Sequence, residues 1–433
     1  MTGRLNTVPT PVPNRGRTAS RSRPARSAAR GIIALTIALT FGLRGIAAES
    51  AGWIVAGDLR DAKIWQSPEY RDRWEPIAGN DAGPQTRLRP VEMPTLFGLK
   101  PESAAARVVG GQIDSLSLVM LDAGTYFGFK NGNIQPGTTS TAARDAFDTA
   151  YRQIQARLFQ GLQQVAGSRA PEPVTLGARS GLGWKAMHYA LGGAHARVLA
   201  VDHQLLMVDF FPTADAARQL RAGIAATPPS RSTPVDFRKW LVRSDDGGRE
   251  IRGIPILPQG NRAYCGVATL AMVGQYLGLQ PGVEEVAQAA GFRYGELGKA
   301  DIRELFSSFP REAGVTGRRS PKFEYAKARQ SIDAGLPVIV FRRWSPERDY
   351  LHTTYTRRRA DGEKDATLPL PNMDDRRQWP GKDAPAHASI VHGYNDARHE
   401  VIFTESWGEF ARSRRMRYEE MEDTSYYAVY YTP

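Results

Sequence analysis

Apolar side chains recur at three-to-four-residue spacing after Cys265, at Val267, Leu270, Ala271 and Leu277, the pattern of one buried face of a helix. Gly278 supplies the stop and Pro281 lies just beyond it. Helical spacing returns over residues 283–290, 301–308 and 323–334, the last ending at Gly335. The β-branched run Pro337-Val338-Ile339-Val340-Phe341 then predicts a buried strand. Residues 387–394 and 401–408 flank a turn at Asn395-Asp396 and predict two adjacent antiparallel strands. If they pair, the end of the second returns beside the start of the first, and Glu405 comes near His387.

The N-terminal half alternates strand and helix patterns. Leu116, Leu118 and Met120 alternate with Ser115, Ser117 and Val119 up to the turn Asp122-Ala123-Gly124, which predicts a strand. Ser140 is a candidate cap for a helix carrying Phe147, Tyr151, Ile154, Leu158, Leu162 and Val165 up to Gly167. Strands over 184–191, 196–201 and 205–211 would follow as a meander. Residues 52–225 thus read as a separate α+β domain of unknown role. The Pro/Ser/Thr-rich stretch ATPPSRSTP at 226–234 reads as a linker, extended here through residue 248, with a second domain over 249–433. Within it, residues 342–386 are crowded with charge and carry Pro369, Pro371, Pro380 and Pro385. They read as a connection without regular structure, either a solvated surface or a lid or binding loop.

Composition narrows the class. A chain of 433 residues with 41% hydrophobic and 24% charged residues is that of a folded globular protein of about two domains. The formal charge of +12 would point to nucleic acid were it spread over the chain. Eight arginines and no acidic residue fall in residues 1–47, which leaves +4 for the rest, so no nucleic-acid partner is expected. Seven of those arginines precede the apolar run GIIALTIALTFGL at 31–43, short for a membrane span and suited to a signal-peptide core. Gly45-Ile46-Ala47 is compatible with cleavage, and Arg44 interrupts the run. Residues 1–48 therefore read as a signal peptide or an uncleaved N-terminal anchor, and the protein as exported, periplasmic or extracellular.

One cysteine in an exported chain excludes an internal disulfide and leaves a free thiol. A single cysteine is more often a small core residue than a nucleophile. Cys265 departs from that expectation because it stands where a turn becomes a helix, where unpaired N–H groups and the helix dipole favour the thiolate. His188, His195 and His203 sit in or between the predicted strands, with no carboxylate or cysteine at metal-ligand spacing. His387, His392 and His399 fit no common metal motif either, so no metal or cofactor is called for.

Gln259, then Cys265-Gly266 after five residues, a helix over 268–278 with a Leu-Ala-Met core, and His387 six residues before Gly393-Tyr394 together resemble the papain-like cysteine peptidases. The resemblance is in particular to C39-like peptidase domains of exported bacterial proteins and bacteriocin-processing transporters. Glu405-Ser406-Trp407-Gly408 resembles the Asn-Ser-Trp-Gly segment of papain-type enzymes. The resemblance covers roughly residues 250–433. It implies an α+β papain-like fold, with a helical part carrying the cysteine and an antiparallel sheet carrying the histidine.

It also implies roles. Cys265 would be the nucleophile, followed by Gly266, and His387 the general base. Gln259 and the Cys265 N–H would hold the oxyanion, a contribution of roughly 3–4 kcal/mol per donor in other acyl-transfer enzymes. Glu405 would orient the histidine where the family has Asn or Asp, and Trp407 would cover that hydrogen bond. His392 is a rival base, but five residues along an uninterrupted strand places it on the opposite face from His387. The function so implied is an exported cysteine peptidase acting on a peptide or protein substrate. The alternative, favoured by Glu405, is a catalytically silent module that binds peptides or partner proteins. A third reading keeps the thiol chemistry and makes the reaction amide transfer or cell-wall amide cleavage.

Overall fold

The computed structural model describes residues 53–54, 56–76, 86–109, 111–127, 140–176, 184–219, 235–259, 264–279, 281–292 and 302–433. The leader at 1–48 and the linker stretch at 226–234 lie outside the described residues.

Two antiparallel sheets organise what is described. The first contains β1 (Trp74–Pro76), β2 (Thr86–Pro90), β3 (Ser103–Val109), β4 (Gln112–Asp122), β5 (Glu172–Leu176), β6 (Trp184–Ala190), β7 (His195–Val201) and β8 (Leu205–Phe211), in spatial order 1-2-3-4-8-7-6-5. The helix Thr141–Ala166 packs on one face of this sheet through Phe147, Tyr151, Leu158, Leu162 and Val165. Ser140 caps it by accepting the Ala143 N–H at 3.2 Å, and Gly167 ends it with a left-handed φ of 69°. Cross-strand pairing aligns a second, polar row over the sheet: Arg87 opposite Arg107, Ala105 opposite Ser117, Ser117 opposite Asp209, and Asp209 opposite Arg197.

The second sheet is built from β9 (Leu241–Arg243), β10 (Arg249–Ile251), β11 (Thr316–Ser320), β12 (Val338–Arg343), β13 (Ala386–Asn395), β14 (Glu400–Glu405), β15 (Arg414–Arg417) and β16 (Ser425–Thr432). Its order is 11-16-12-13-10-9, with β14 pairing β13 and β15. Residues 235–248, read from sequence as more linker, contain β9 and the turn that leads into β10. Polar composition misled there because the turn is itself polar: Ser244 donates to Asp246 at 2.6 Å, and Asp246 pairs with Arg359 at 3.0 Å. Long β13 accepts β10 beside Gly393, where a Cβ would sit 2.6 Å from the Arg249 carbonyl oxygen, so no larger residue fits.

The cysteine helix, Cys265–Tyr276, is buried on every side after its first residue, not amphipathic as its spacing predicts. Ala268, Thr269, Gly274 and Gln275 complete a surface that is covered all round. Gly266 lies against Phe341 and Phe306, and Thr269 donates to the Ala388 carbonyl at 3.4 Å.

Residues 342–386 also differ from expectation. They contain the fifteen-residue helix Pro346–Ala360, started by the Ser345 cap and Pro346 in its first turn. Apolar periodicity missed it because the face it buries is polar: Arg348, Asp349, His352 and Tyr355. Arg348 grips Glu420 with two nitrogens and Asp375 with a third, and His352 meets Glu420 at 3.1 Å.

Residues Glu49–Pro433 form one compact unit. Trp184 packs on Phe309 with ring centroids 6.4 Å apart, and Arg197 lies 3.9 Å from Glu285 on the helix Val283–Ala289. Burial, reinforced by Asp209, pushes the Glu285 carboxyl up to about 8. The folded chain therefore keeps a proton that the unfolded chain releases in the ordinary carboxylate range. Folded protein binds more protons between those two values, so this group's contribution to stability falls as pH rises from about 5 toward 8. Glu285→Gln is expected to flatten the decline of melting temperature across that interval in thermal unfolding scans.

Candidate active site

Cys265 opens its helix half-buried, with the strand end at His387-Ala388 beside it. Backbone N–H groups of Ala388, Gly266 and Cys265 itself act on the sulfur and favour the thiolate, but burial outweighs them and pushes the thiol up. The helix N-terminus alone does not set the balance.

His387 is the second residue of β13 and pairs across the ladder with Arg342 of β12. Its ring lies under Trp407, with centroids 4.3 Å apart, and Trp344 meets Trp407 edge-on at 5.2 Å. The two tryptophans close the imidazole off from water, leaving it 4% exposed. Its Nε2 is buried without a hydrogen-bond partner, and the nearest carboxylate oxygen, Glu405 Oε1, is 3.9 Å away.

The hairpin register places Ser389 opposite Glu405, so the expected approach of Glu405 to His387 occurs. Its bonding differs from the expected role. Glu405 Oε1 accepts Arg342 Nη2 and Ser389 Oγ, each at 2.6 Å, and its other oxygen meets Arg414. Asp349 completes the group, 3.2 Å from Arg342 and 3.5 Å from Arg414, and both guanidiniums lie over the Phe403 ring at 5.1 and 5.0 Å. Glu405 is thus the counter-ion of two buried arginines, not the acceptor for the histidine.

That cluster sets the electrostatics of the site. Burial first, then the positive charges of Arg342 and Arg414, hold His387 well below the ordinary histidine value. Burial thus favours the uncharged form of both the thiol and the imidazole.

Gln259 is tied to the turn after β14 at two points. Its N–H donates to the Ser406 carbonyl at 2.8 Å, and its side-chain oxygen accepts Ser406 Oγ at 2.7 Å. With that oxygen accepting, the amide nitrogen is the donor end of the side chain. Ser406, inside the Glu-Ser-Trp-Gly segment, thereby fixes the position of Gln259.

His392 is committed elsewhere, for a reason the sequence did not show. The β13–β14 register shifts between Val391 and Gly393, so the strand is not uninterrupted. His392 meets the Ile251 carbonyl at 3.2 Å and Thr404 Oγ1 at 2.9 Å, and burial lowers it to about 4. His399 sits at the hairpin turn with a φ of 55°, stacked on Tyr418. Arg342, Arg414, Ser389 and Asp349 escaped the sequence reading. Its one available signal was an arginine continuing an otherwise apolar buried strand at residue 342.

Residues 251–432 match the Peptidase_C39 like family, so this part of the chain is a C39-like peptidase domain. Two solved structures are similar at 15% identity, each over 42% of this chain. A chain described as a C39-like peptidase from Bacillus anthracis is covered over 94% of its length with a TM-score of 0.28. The peptidase domain of Streptococcus ComA, a bi-functional ABC transporter involved in quorum sensing, is covered over 98% with a TM-score of 0.26. No curated protein matches the chain.

Glu405→Gln removes the negative charge between Arg342 and Arg414, both almost wholly buried. The variant is expected to lose roughly 3–5 kcal/mol of unfolding free energy in urea titration, the usual effect of orphaning a buried charge. A loss under about 1 kcal/mol would show that the arginines find another counter-ion.

Proposed function

We propose that the chain is an exported cysteine peptidase that cleaves a peptide or amide bond through an acyl-enzyme on Cys265. The observation that carries this reading is the meeting of a helix-N-terminal thiol with the His387–Ala388 strand end, where the Ala388 N–H acts on the sulfur and Trp407 covers the His387 ring. Export rests on the arginine-rich leader and its apolar core. Among the described residues no helix is long and apolar enough to cross a membrane.

His387 takes the thiol proton as Cys265 attacks the substrate carbonyl carbon, and the carbonyl electron pair moves to oxygen. The Gln259 amide nitrogen and the Cys265 N–H hold that oxyanion. On collapse the C–N bond breaks and His387 returns the proton to the leaving amine. Water, deprotonated by the same imidazole, then hydrolyses the thioester and restores the thiol. With the uncharged forms favoured, proton transfer accompanies attack. The imidazolium formed must sit near Arg342 and Arg414, with Glu405 offsetting them.

A second reading is favoured by one observation, the missing acceptor at His387 Nε2. Without it the ring is held only by packing, and the site would bind peptides without cleaving them. Glu405→Asn does not separate the two readings cleanly, because it also orphans the arginines.

Two measurements do separate them. Cys265→Ala and His387→Ala are each expected to lower peptide-hydrolysis kcat/KM by at least about a thousandfold while both remain folded by circular dichroism. Wild type indistinguishable from Cys265→Ala would establish the silent module.

The resting state has its own signature. Because burial raises the thiol and lowers His387, the rate of Cys265 alkylation by iodoacetamide should climb about tenfold per pH unit from pH 6 to 8. A pH-independent rate over that range would mean a preformed thiolate–imidazolium pair.

A further inference from the structure

β12 turns Phe341 toward the cysteine helix: a Cβ added at Gly266, the residue after Cys265, would meet the Phe341 ring at 3.3 Å. Pairing with β13 runs unbroken to Arg343, so side chains alternate and Arg343 shares that face, about 7 Å further along the strand. The pairing with β16 is broken at the same place. Phe341 stands opposite Tyr427 and Arg342 opposite Ser425, which leaves Tyr426 as the extra residue of a bulge. Tyr426 is 41% exposed, with its ring 6.2 Å from that of Phe341 and 4.8 Å from the Arg343 guanidinium. Burial raises its hydroxyl, Arg343 opposes that and Cys265 adds to it, so the thiol and the guanidinium act on one phenol.

Arg343 is half-buried, and its Nη1 donates to the Ala384 carbonyl at 2.8 Å. Nε and Nη2 are neither engaged nor enclosed, and no carboxylate among the described residues pairs with this side chain. The cluster behind His387 supplies none, because Glu405 and Asp349 already stand against Arg342 and Arg414. Two charges of each sign cancel there. Arg343 therefore adds a positive charge of its own on the thiol's side of the strand.

We propose that Arg343, held against Tyr426, selects substrates that carry a carboxylate side chain within two residues of the bond Cys265 attacks. The inference rests on the peptidase reading for that bond, and on Arg343 alone for the charge. A planar guanidinium with one nitrogen bound to a carbonyl and its carbon over a ring presents its remaining donors in a fixed direction, which suits the paired oxygens of a carboxylate. An extended peptide advances about 3.5 Å per residue, so the step from Phe341 to Arg343 spans about two of them.

Two alkylating reagents of nearly equal size test the charge on the full chain. The Cys265 sulfur displaces iodide from iodoacetate or iodoacetamide, and the ratio of the two rates cancels the thiolate fraction. Arg343→Gln is expected to lower the iodoacetate-to-iodoacetamide ratio about fivefold, and Arg343→Lys to hold it near the wild-type value. In wild type, raising sodium chloride from about 20 to about 500 mM should lower the ratio at least about twofold, which carries the test if thermal unfolding shows that Arg343→Gln does not fold. Two randomised hexapeptide libraries, identical except for a central Glu or Gln, read the substrate. The Glu library should be cleaved with kcat/KM at least about tenfold higher, and Arg343→Gln should erase the difference. A reagent ratio that responds to neither Arg343→Gln nor salt, or equal cleavage of the two libraries, would overturn the proposal. Where neither library is cleaved, protection of Cys265 from iodoacetamide reads the preference without turnover. Stronger protection by the Glu library then supports Arg343 selection while the peptidase reading fails, and equal protection overturns both.

Discussion

Glu405 places a carboxylate where no water reaches, and the Arg342 and Arg414 guanidiniums with the Ser389 hydroxyl compensate it. A buried group of this kind adds little net stability over a well-packed apolar core, but each member makes the others necessary. Its members come from four separate segments: β12, β13 with β14, β15, and the first turn of the helix Pro346–Ala360. Satisfying all of them fixes the register of the sheet beneath His387 and anchors the inserted helix over it. The histidine inherits its environment from that requirement. It is buried, dry and beside two positive charges, all of which disfavour its protonation.

The same cluster explains a substitution relative to the papain-type pattern. An Asn in place of Glu405 could hydrogen-bond the imidazole, but it would carry no charge to set against two arginines. The longer carboxylate serves the arginines and leaves His387 Nε2 without a bond. Orientation of the ring is transferred to aromatic packing by Trp407, itself backed by Trp344 and by Arg414 at 5.1 Å. The cluster thus links the choice of residue at 405 to the geometry at 387 and to the weak basicity of the resting imidazole.

The N-terminal sheet obeys a related logic with a different outcome. Its helix-covered face is an ordinary apolar core. Its other face meets the C39-like part through Arg87, Arg107 and Arg197 against Asp209, Glu284 and Glu285, a polar interface in which charges are matched unevenly. Buried polar contact of this sort fixes how two layers sit, and it leaves cavities where side chains of fixed shape cannot interdigitate. Burial at that boundary raises Glu285 and depresses Arg87, each toward its uncharged form.

Local pattern was enough to read the cysteine helix, the helix from Ser140 to Gly167, the hairpin 387–405 and the order of Gln259, Cys265, His387 and Trp407 along the chain. Those features depend on periodicity, caps and turns, which are written in neighbouring residues. Tertiary structure alone decided that the cysteine helix is covered on every side, that a charged segment after Arg342 folds as a helix, and that a bulge at His392 commits that ring to Ile251 and Thr404. It also decided what Glu405 is for. A carboxylate's role depends on which charges lie within a few ångströms, and Arg342 and Arg414 reach it from 63 residues before and nine residues after, across strands that only the folded sheet brings together.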